Sequence, residues 1–272
     1  MEAPRSMCRP VHGLALSLAL ALPAAAAGQT PGRATTAFGL AAGVSDFHQR
    51  DEYLAPATYG GTLLAGSALF ERRSDRALLR FDAAASIGRI DSDALPRDVH
   101  QYVARLSVTL LRALGAPRAP GRGPQVLAGG ALSAFGAMTD FKVADPSYGT
   151  TYHDVSWDWL RSLDLVLRAE QGSDTRRIAV QLAVPALRWV SRPPSGKDFD
   201  VEHRTWGRAL LGGRLEFPWD RAVVFGEVEY RQRVGDRVQL RVGYDFAYAS
   251  SDRPLPLGMY VNMLQVGLLW PR

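Results

Sequence analysis

The sequence predicts an all-β chain: a closed antiparallel transmembrane β-barrel of about twelve strands, with ten as the alternative, preceded by a cleavable signal peptide. Three observations predict it. Strict period-2 alternation recurs along almost the whole chain. It is clearest from Arg237 to Ser250, where Val238, Leu240, Val242, Tyr244, Phe246 and Tyr248 share one face and Arg237, Gln239, Arg241, Gly243, Asp245 and Ala247 the other. Charges of both signs fall opposite the apolar face, and few helical segments exist to cover so many apolar faces. Finally, no apolar run of about 18 residues follows the N-terminal segment, so a membrane crossing has to rest on strands. The simplest closed solution turns the apolar side to lipid and the charged side to a lumen.

The N-terminal segment comes first. Arg5 and Arg9 form a positive region, Leu14 to Leu22 a short apolar core, and Pro23 with Ala24 to Ala27 a small-residue cleavage site. This is the pattern of a secretory signal peptide, with cleavage expected after Ala27 and residues 28–272 left as the barrel. Cys8, the one cysteine, precedes the apolar core, which argues against a lipoprotein and leaves the mature chain without thiol nucleophiles or disulfides. The 272 residues carry a formal charge of +5. Among the 32 basic residues only Lys142 and Lys197 are lysine. The arginines interleave with acids along the sequence, so no concentrated patch predicts nucleic-acid binding.

Strands then follow in order. Phe38, Leu40, Ala42 and Val44 mark the first, and Leu64, Gly66, Ala68 and Phe70 the second, before a tight turn at Ser74 to Arg76. The third puts Leu79, Phe81, Ala83, Ala85 and Ile87 outward against Arg80, Asp82 and Ser86. The fourth opposes Tyr102, Ala104, Leu106, Val108 and Leu110 to Val103, Arg105, Ser107 and Thr109. A fifth, Gln125 to Met138, is rich in Gly and Ala and reads as a curved or thin part of the wall. The sixth opposes Trp157, Trp159, Leu163, Leu165 and Leu167 to Asp158, Ser162, Asp164, Arg168 and Glu170. In the seventh, Arg177 to Val190, Pro185 lacks a donor and predicts a bulge. The eighth turns Leu211, Leu215 and Phe217 outward and Arg208, Arg214 and Glu216 inward, before a turn at Pro218 to Asp220. The ninth opposes Val224, Val228 and Tyr230 to Glu227, Glu229 and Arg231, and Gly235-Asp236 leads into the tenth. The last carries Leu264, Val266, Leu268 and Trp270 outward.

This reading gives eleven strands, whereas bacterial barrels have an even number. Long loops and short turns alternate except between the ninth and tenth strands, where two short turns come in succession. Residues 190 to 217 have room for one more strand, so the expectation is twelve.

The signal segment at 1–27, the repeated dyad pattern, the aromatics near strand ends (Trp157, Trp159, Tyr244, Tyr260, Trp270) and the C-terminal strand Tyr260 to Trp270 together resemble bacterial outer-membrane β-barrel proteins as a class. The resemblance implies an integral protein of the Gram-negative outer membrane, monomeric by default. Outer-membrane lipids and lipopolysaccharide would surround it. The barrel-assembly machinery would read its C-terminal strand. Members of the class commonly end in an aromatic residue, whereas Pro271 and Arg272 follow Trp270 here.

Fourteen charged residues are assigned to the lumen: Arg80, Asp82, Arg105, Asp158, Asp164, Arg168, Arg208, Arg214, Glu216, Glu227, Glu229, Arg231, Arg241 and Asp245. Mixed charge of this kind either pairs into a structural network or lines a narrow porin-like passage for small polar solutes. Barrels of about eight strands are filled by side chains and those of roughly 16–18 leave a channel, so this one falls between. The resemblance also brings lipid-A deacylases, phospholipases and proteases as an alternative. A nucleophilic mechanism needs a hydroxyl within reach of a base. His153 with Asp154 and Ser156 is the first candidate; His48 with Asp51 and Glu52, His100, and His203 with Glu202 are others. No motif of such enzymes is present. No zinc spacing occurs, calcium would need loop carboxylates such as Asp46, Asp51 and Glu52, and no cofactor is predicted. A soluble periplasmic lipocalin-like binding protein is the remaining alternative.

Overall fold

The computed structural model describes residues 34–272 apart from 52–57, 93–97, 116–122, 146–149, 174, 193–212 and 252–256. The signal segment at 1–27 thus lies outside the described residues. Eleven strands form one antiparallel sheet: β1 (Thr35–Asp51), β2 (Thr58–Arg73), β3 (Ala77–Ser92), β4 (Asp98–Ala113), β5 (Gln125–Asp145), β6 (Thr150–Gly172), β7 (Arg176–Ser191), β8 (Arg214–Glu216), β9 (Arg221–Arg233), β10 (Gln239–Ser251) and β11 (Leu257–Pro271). β1 pairs with both β2 and β11, and β6 pairs with β7, so the sheet closes on itself.

The barrel has ten wall positions, not twelve. β8 and β9 both pair with β7, β8 with Arg188 to Val190 and β9 with Arg176 to Ala183. They run in one direction along the same neighbour and are two pieces of one wall strand. Residues 217–220 between them are an outward kink in that strand, where the backbone N–H of Phe217 donates to the Asp220 carboxylate at 2.8 Å. The sequence expectation failed here because Pro218-Trp219-Asp220 has the chemistry of a hairpin turn. A kink and a hairpin share that chemistry and differ only in which strand the chain next meets. With β8 and β9 counted once, successive connections lie at alternate ends of the barrel. The connections at 74–76, 114–124, 173–175 and 234–238 share one end, and the first and last strands meet there through Thr36 and Arg272, whose N–H and C=O groups exchange bonds of 3.2 and 2.7 Å. The other five connections share the opposite end.

The alternation of faces is the one the residue pattern predicts. Leu64, Leu165, Leu106 and Val266 are 73%, 67%, 58% and 53% exposed on the outer wall, whereas Arg80, Arg168 and Arg188 are at most 1% exposed inside. Pro185 sits at a bulge: Leu163 pairs with Leu187 and Asp164 with Pro185, leaving Ala186 as the extra residue. The bulge reverses the phase of β7. Ile178, Val180, Leu182 and Val184 face out before it; Leu187 and Trp189 face out after it, with Arg188 and Val190 buried. On β5, the Gly136 position lies under the Trp159 ring, where an added Cβ would fall 2.2 Å from the ring.

Inside, two populations of side chain fill the barrel. Toward the turn end lies a network of ion pairs. Toward the loop end, Phe47, Leu63, Ile90, Val99, Val103, Phe135, Val223, Phe225 and Met259 pack together, with Phe135 and Phe225 ring centroids 5.8 Å apart. The second population was not expected from the sequence, which assigned the interior mainly to charged groups. Leu63 and Phe47 had been hidden by lying in phase with small or polar neighbours such as Ala65 and Ser45.

Candidate functional site: the charged interior

The network starts from a local rule. Residues i and i+2 of a strand point to the same face, so an Arg and an acid spaced by two meet without help from the rest of the fold. Five such pairs form: Glu71–Arg73, Arg80–Asp82, Arg168–Glu170, Glu229–Arg231 and Arg214–Glu216. Closure of the barrel then joins the first four pairs across the lumen. Arg73 on β2 makes a two-pronged contact with Glu170 on β6, at 2.6 and 2.7 Å. Arg231 on β9 reaches Glu71 on β2, at 3.2 and 2.7 Å. Arg80 on β3 reaches Glu227 on β9 at 2.7 Å.

Glu229 is the hub. It accepts from Arg231 Nε and Arg241 Nε at 2.7 Å each and from Arg168 Nη2 at 3.0 Å, while Arg80 Nη1 stands 3.8 Å away. Arg241 also donates to Glu227 at 3.2 Å. Five guanidinium groups (Arg73, Arg80, Arg168, Arg231, Arg241) thus face five carboxylates (Glu71, Asp82, Glu170, Glu227, Glu229), and Arg177, the register partner of Arg231, borders the set. Except for Arg73 and Asp82, the side chains of these facing groups are at most 6% exposed. Charge-assisted and two-pronged bonds are the strong class of hydrogen bond. Removing one member of a buried set strands its partners and costs about 3–5 kcal/mol.

The other residues assigned to the lumen fall outside this network. Asp158 pairs with Arg221 on both carboxylate oxygens, nearer the loop end. Asp164 is 1% exposed, in the middle layer beside Ser162 and Ser133. Arg105 lies over the Phe225 ring, 4.8 Å from its centroid, and with Asp245 it lines a cavity of about 30 Å³, room for a water molecule or two. Arg214, with its side chain 54% exposed, bonds Glu216 at the mouth. Arg208 lies outside the described residues.

Sequence reasoning missed Glu71 and Arg73, which complete the network, and Arg188 and Arg221. The i, i+2 opposite-charge pattern at Glu71 and Arg73 is the signal that finds the first two. Arg188 is hidden by the phase reversal at the bulge. Its Nη2 donates to the Phe217 carbonyl at 2.5 Å and so ties β7 to the kink between β8 and β9.

The rim candidates do not assemble into a nucleophilic site among the described residues. Ser156 is buried on the inner face opposite Thr139. The side chains of His153 and Asp154, and residues His203 and Glu202, lie outside what is described. His48 faces outward, bonds Asp46 at 3.2 Å and stacks on Tyr260 with centroids 4.6 Å apart. His100 is the register partner of Asp140. Among the described residues no group of three His, Cys, Asp or Glu gathers as a metal site; the side chain of Asp51 and residue Glu52 are not described.

No family model matches the chain, and no curated protein matches it. Solved structures do. The outer membrane protease OmpT of Escherichia coli aligns at 8% identity over 89% of this chain and 98% of that one, with a TM-score of 0.48. Neisserial surface protein A aligns at 11% identity over 86% and 97%, with a TM-score of 0.33. An outer membrane channel from Pseudomonas putida F1 aligns at 13% identity over 90% and 97%, with a TM-score of 0.31. The neighbours are bacterial outer-membrane β-barrels, the class that the sequence resembles. At these identities the similarity concerns fold alone.

Proposed function

We propose that this protein is an integral outer-membrane β-barrel whose interior is closed and whose role is structural. Residues 1–27 act as its export signal, the 34–272 barrel crosses the outer membrane with its short turns in the periplasm, and the C-terminal strand Tyr260 to Trp270 serves assembly. The apolar outer wall supports the membrane location: an aqueous surface carrying Leu64, Leu165 and Leu106 more than half exposed has no soluble counterpart of this extent.

One observation carries the closed interior. The ion-pair network spans the lumen from β2 to β6 and from β3 and β2 to β9 through direct guanidinium–carboxylate bonds. The apolar layer of Phe47, Leu63, Phe135 and Phe225 fills the next level. A polar solute would have to break the ion pairs open and then shed its water against the apolar layer. Single-channel recording in planar bilayers tests this. The wild-type barrel is expected to insert without steady conductance; reproducible ohmic steps would restore the narrow-passage reading and end the closed one.

A further inference from the structure

We infer that the turn end of the barrel carries a binding surface for the phosphate groups of anionic glycerophospholipids, built on Arg72, Arg76 and Arg112 and bordered by Arg272. This goes beyond the closed interior and does not depend on it; it rests only on insertion in a bilayer.

These arginines are scattered over 200 residues of sequence, and the fold gathers them. Arg72 pairs in register with Thr36 on β1, which exchanges backbone bonds with Arg272. Arg112 pairs with Ala77, and the N–H of Ala113 donates to the carbonyl of Arg76 at 2.9 Å. The four residues therefore occupy one continuous strip across β11, β1, β2, β3 and β4. All four are exposed, and Asp75 is the one exposed acid described in the intervening turn.

Their position along the wall identifies the ligand. In an alternating strand, a residue two places beyond an outward apolar residue also faces outward. Arg72 follows Phe70, Arg112 follows Leu110 and Arg272 follows Trp270 in this way. The guanidinium groups stand at the lower edge of the apolar belt and point away from the lumen, at the level where lipid phosphates lie. Guanidinium forks match phosphate oxygens in pairs. Each basic group near an anionic bilayer surface contributes a factor of about five in binding. Arg176, two places before Ile178 on the outer face of β7, repeats the placement on the opposite wall. At the loop end the outer wall instead mixes Asp46, His48 and Arg89.

The full-length folded barrel, reconstituted in nanodiscs with equal phosphatidylglycerol and phosphatidylethanolamine and released into mild detergent, would be analysed by native mass spectrometry for retained lipid. Phosphatidylglycerol is expected to be enriched about fivefold over the bulk ratio. The R72Q/R76Q/R112Q variant should fall to within about twofold of bulk, as should the wild type in high salt. R89Q at the opposite rim should keep the full enrichment. R76Q alone sits in a turn outside the strands and should lower the enrichment even where the triple variant fails to fold, which heat-modifiable gel mobility reports. Retained lipid that tracks the bulk ratio, enrichment unchanged in the variants, or preference for lipid A when it is supplied would each overturn the inference. Failure to enter the nanodisc would count against the membrane reading itself.

Discussion

Glu229 shows what a single buried charge does in this molecule. Its carboxylate is 1% exposed and answers guanidinium groups from β3, β6, β9 and β10. Truncating it leaves four cations sharing one fewer anion in a site cut off from water. Glu229→Ala is therefore expected to lower stability by about 3–5 kcal/mol, read as a shifted urea midpoint in lipid vesicles. Its effect should exceed that of Arg214→Ala, because the Arg214 side chain is half exposed and its pair with Glu216 is screened by solvent. Gly226 is a second informative position. It is the register partner of Phe246, whose ring covers it, and a Cβ there would fall 1.9 Å from the ring. Gly226→Val should displace the ring and cost about 1–3 kcal/mol in the same assay. At this scale the sequence is half legible. The inward facing of Glu229 follows from alternation with Val228 and Tyr230. Arg231 follows from its spacing of two, but the other three partners do not, because Arg241 depends on the β9–β10 register and Arg80 and Arg168 are brought near only by closure.

Elements in this barrel are defined by register more than by residue preference. The Pro185 bulge was legible because a missing N–H forces an irregularity wherever it occurs in a wall strand. Its consequence, the inversion of every residue after it, becomes visible only in the pairing of β6 with β7. Deleting Ala186 would remove the extra residue and join the two halves of β7 in one unbroken alternation, with Leu187 following Pro185, Arg188 still inside and Trp189 still outside. The variant is expected to give a folded, heat-modifiable barrel, and its loss would mean that the bulge is needed for more than the phase of the residues after it. The kink at 217–220 was misread for a related reason. Turn-forming residues announce a change of direction without saying how large it is. The tie from Arg188 to the Phe217 carbonyl, which holds the chain on course there, spans 29 residues.

For the molecule as a whole, the predicted partition of faces is the feature with the widest reach. Cysteines placed at outward Leu165 or Leu64 should resist water-soluble maleimide in vesicles and be quenched by brominated acyl chains when labelled with a fluorophore. A cysteine at the exposed turn residue Val234 should react readily, and in intact cells only after the outer membrane is permeabilised. Fast labelling of the Leu165 site would contradict a lipid-covered wall. The class of fold was legible because alternation repeats on every strand. The apolar half of the interior was not, because inward Leu and Phe residues carry no charge to mark their side. The mixed signs of the ion-pair network have one more consequence. An electric field across a bilayer does work of about 2.3 kcal/mol per 100 mV on each elementary charge that moves through it. Guanidinium groups bonded to carboxylates can only be displaced together with them, so most of that work cancels. The field therefore gains little by shifting the cluster, and the barrel should stay electrically silent at either polarity.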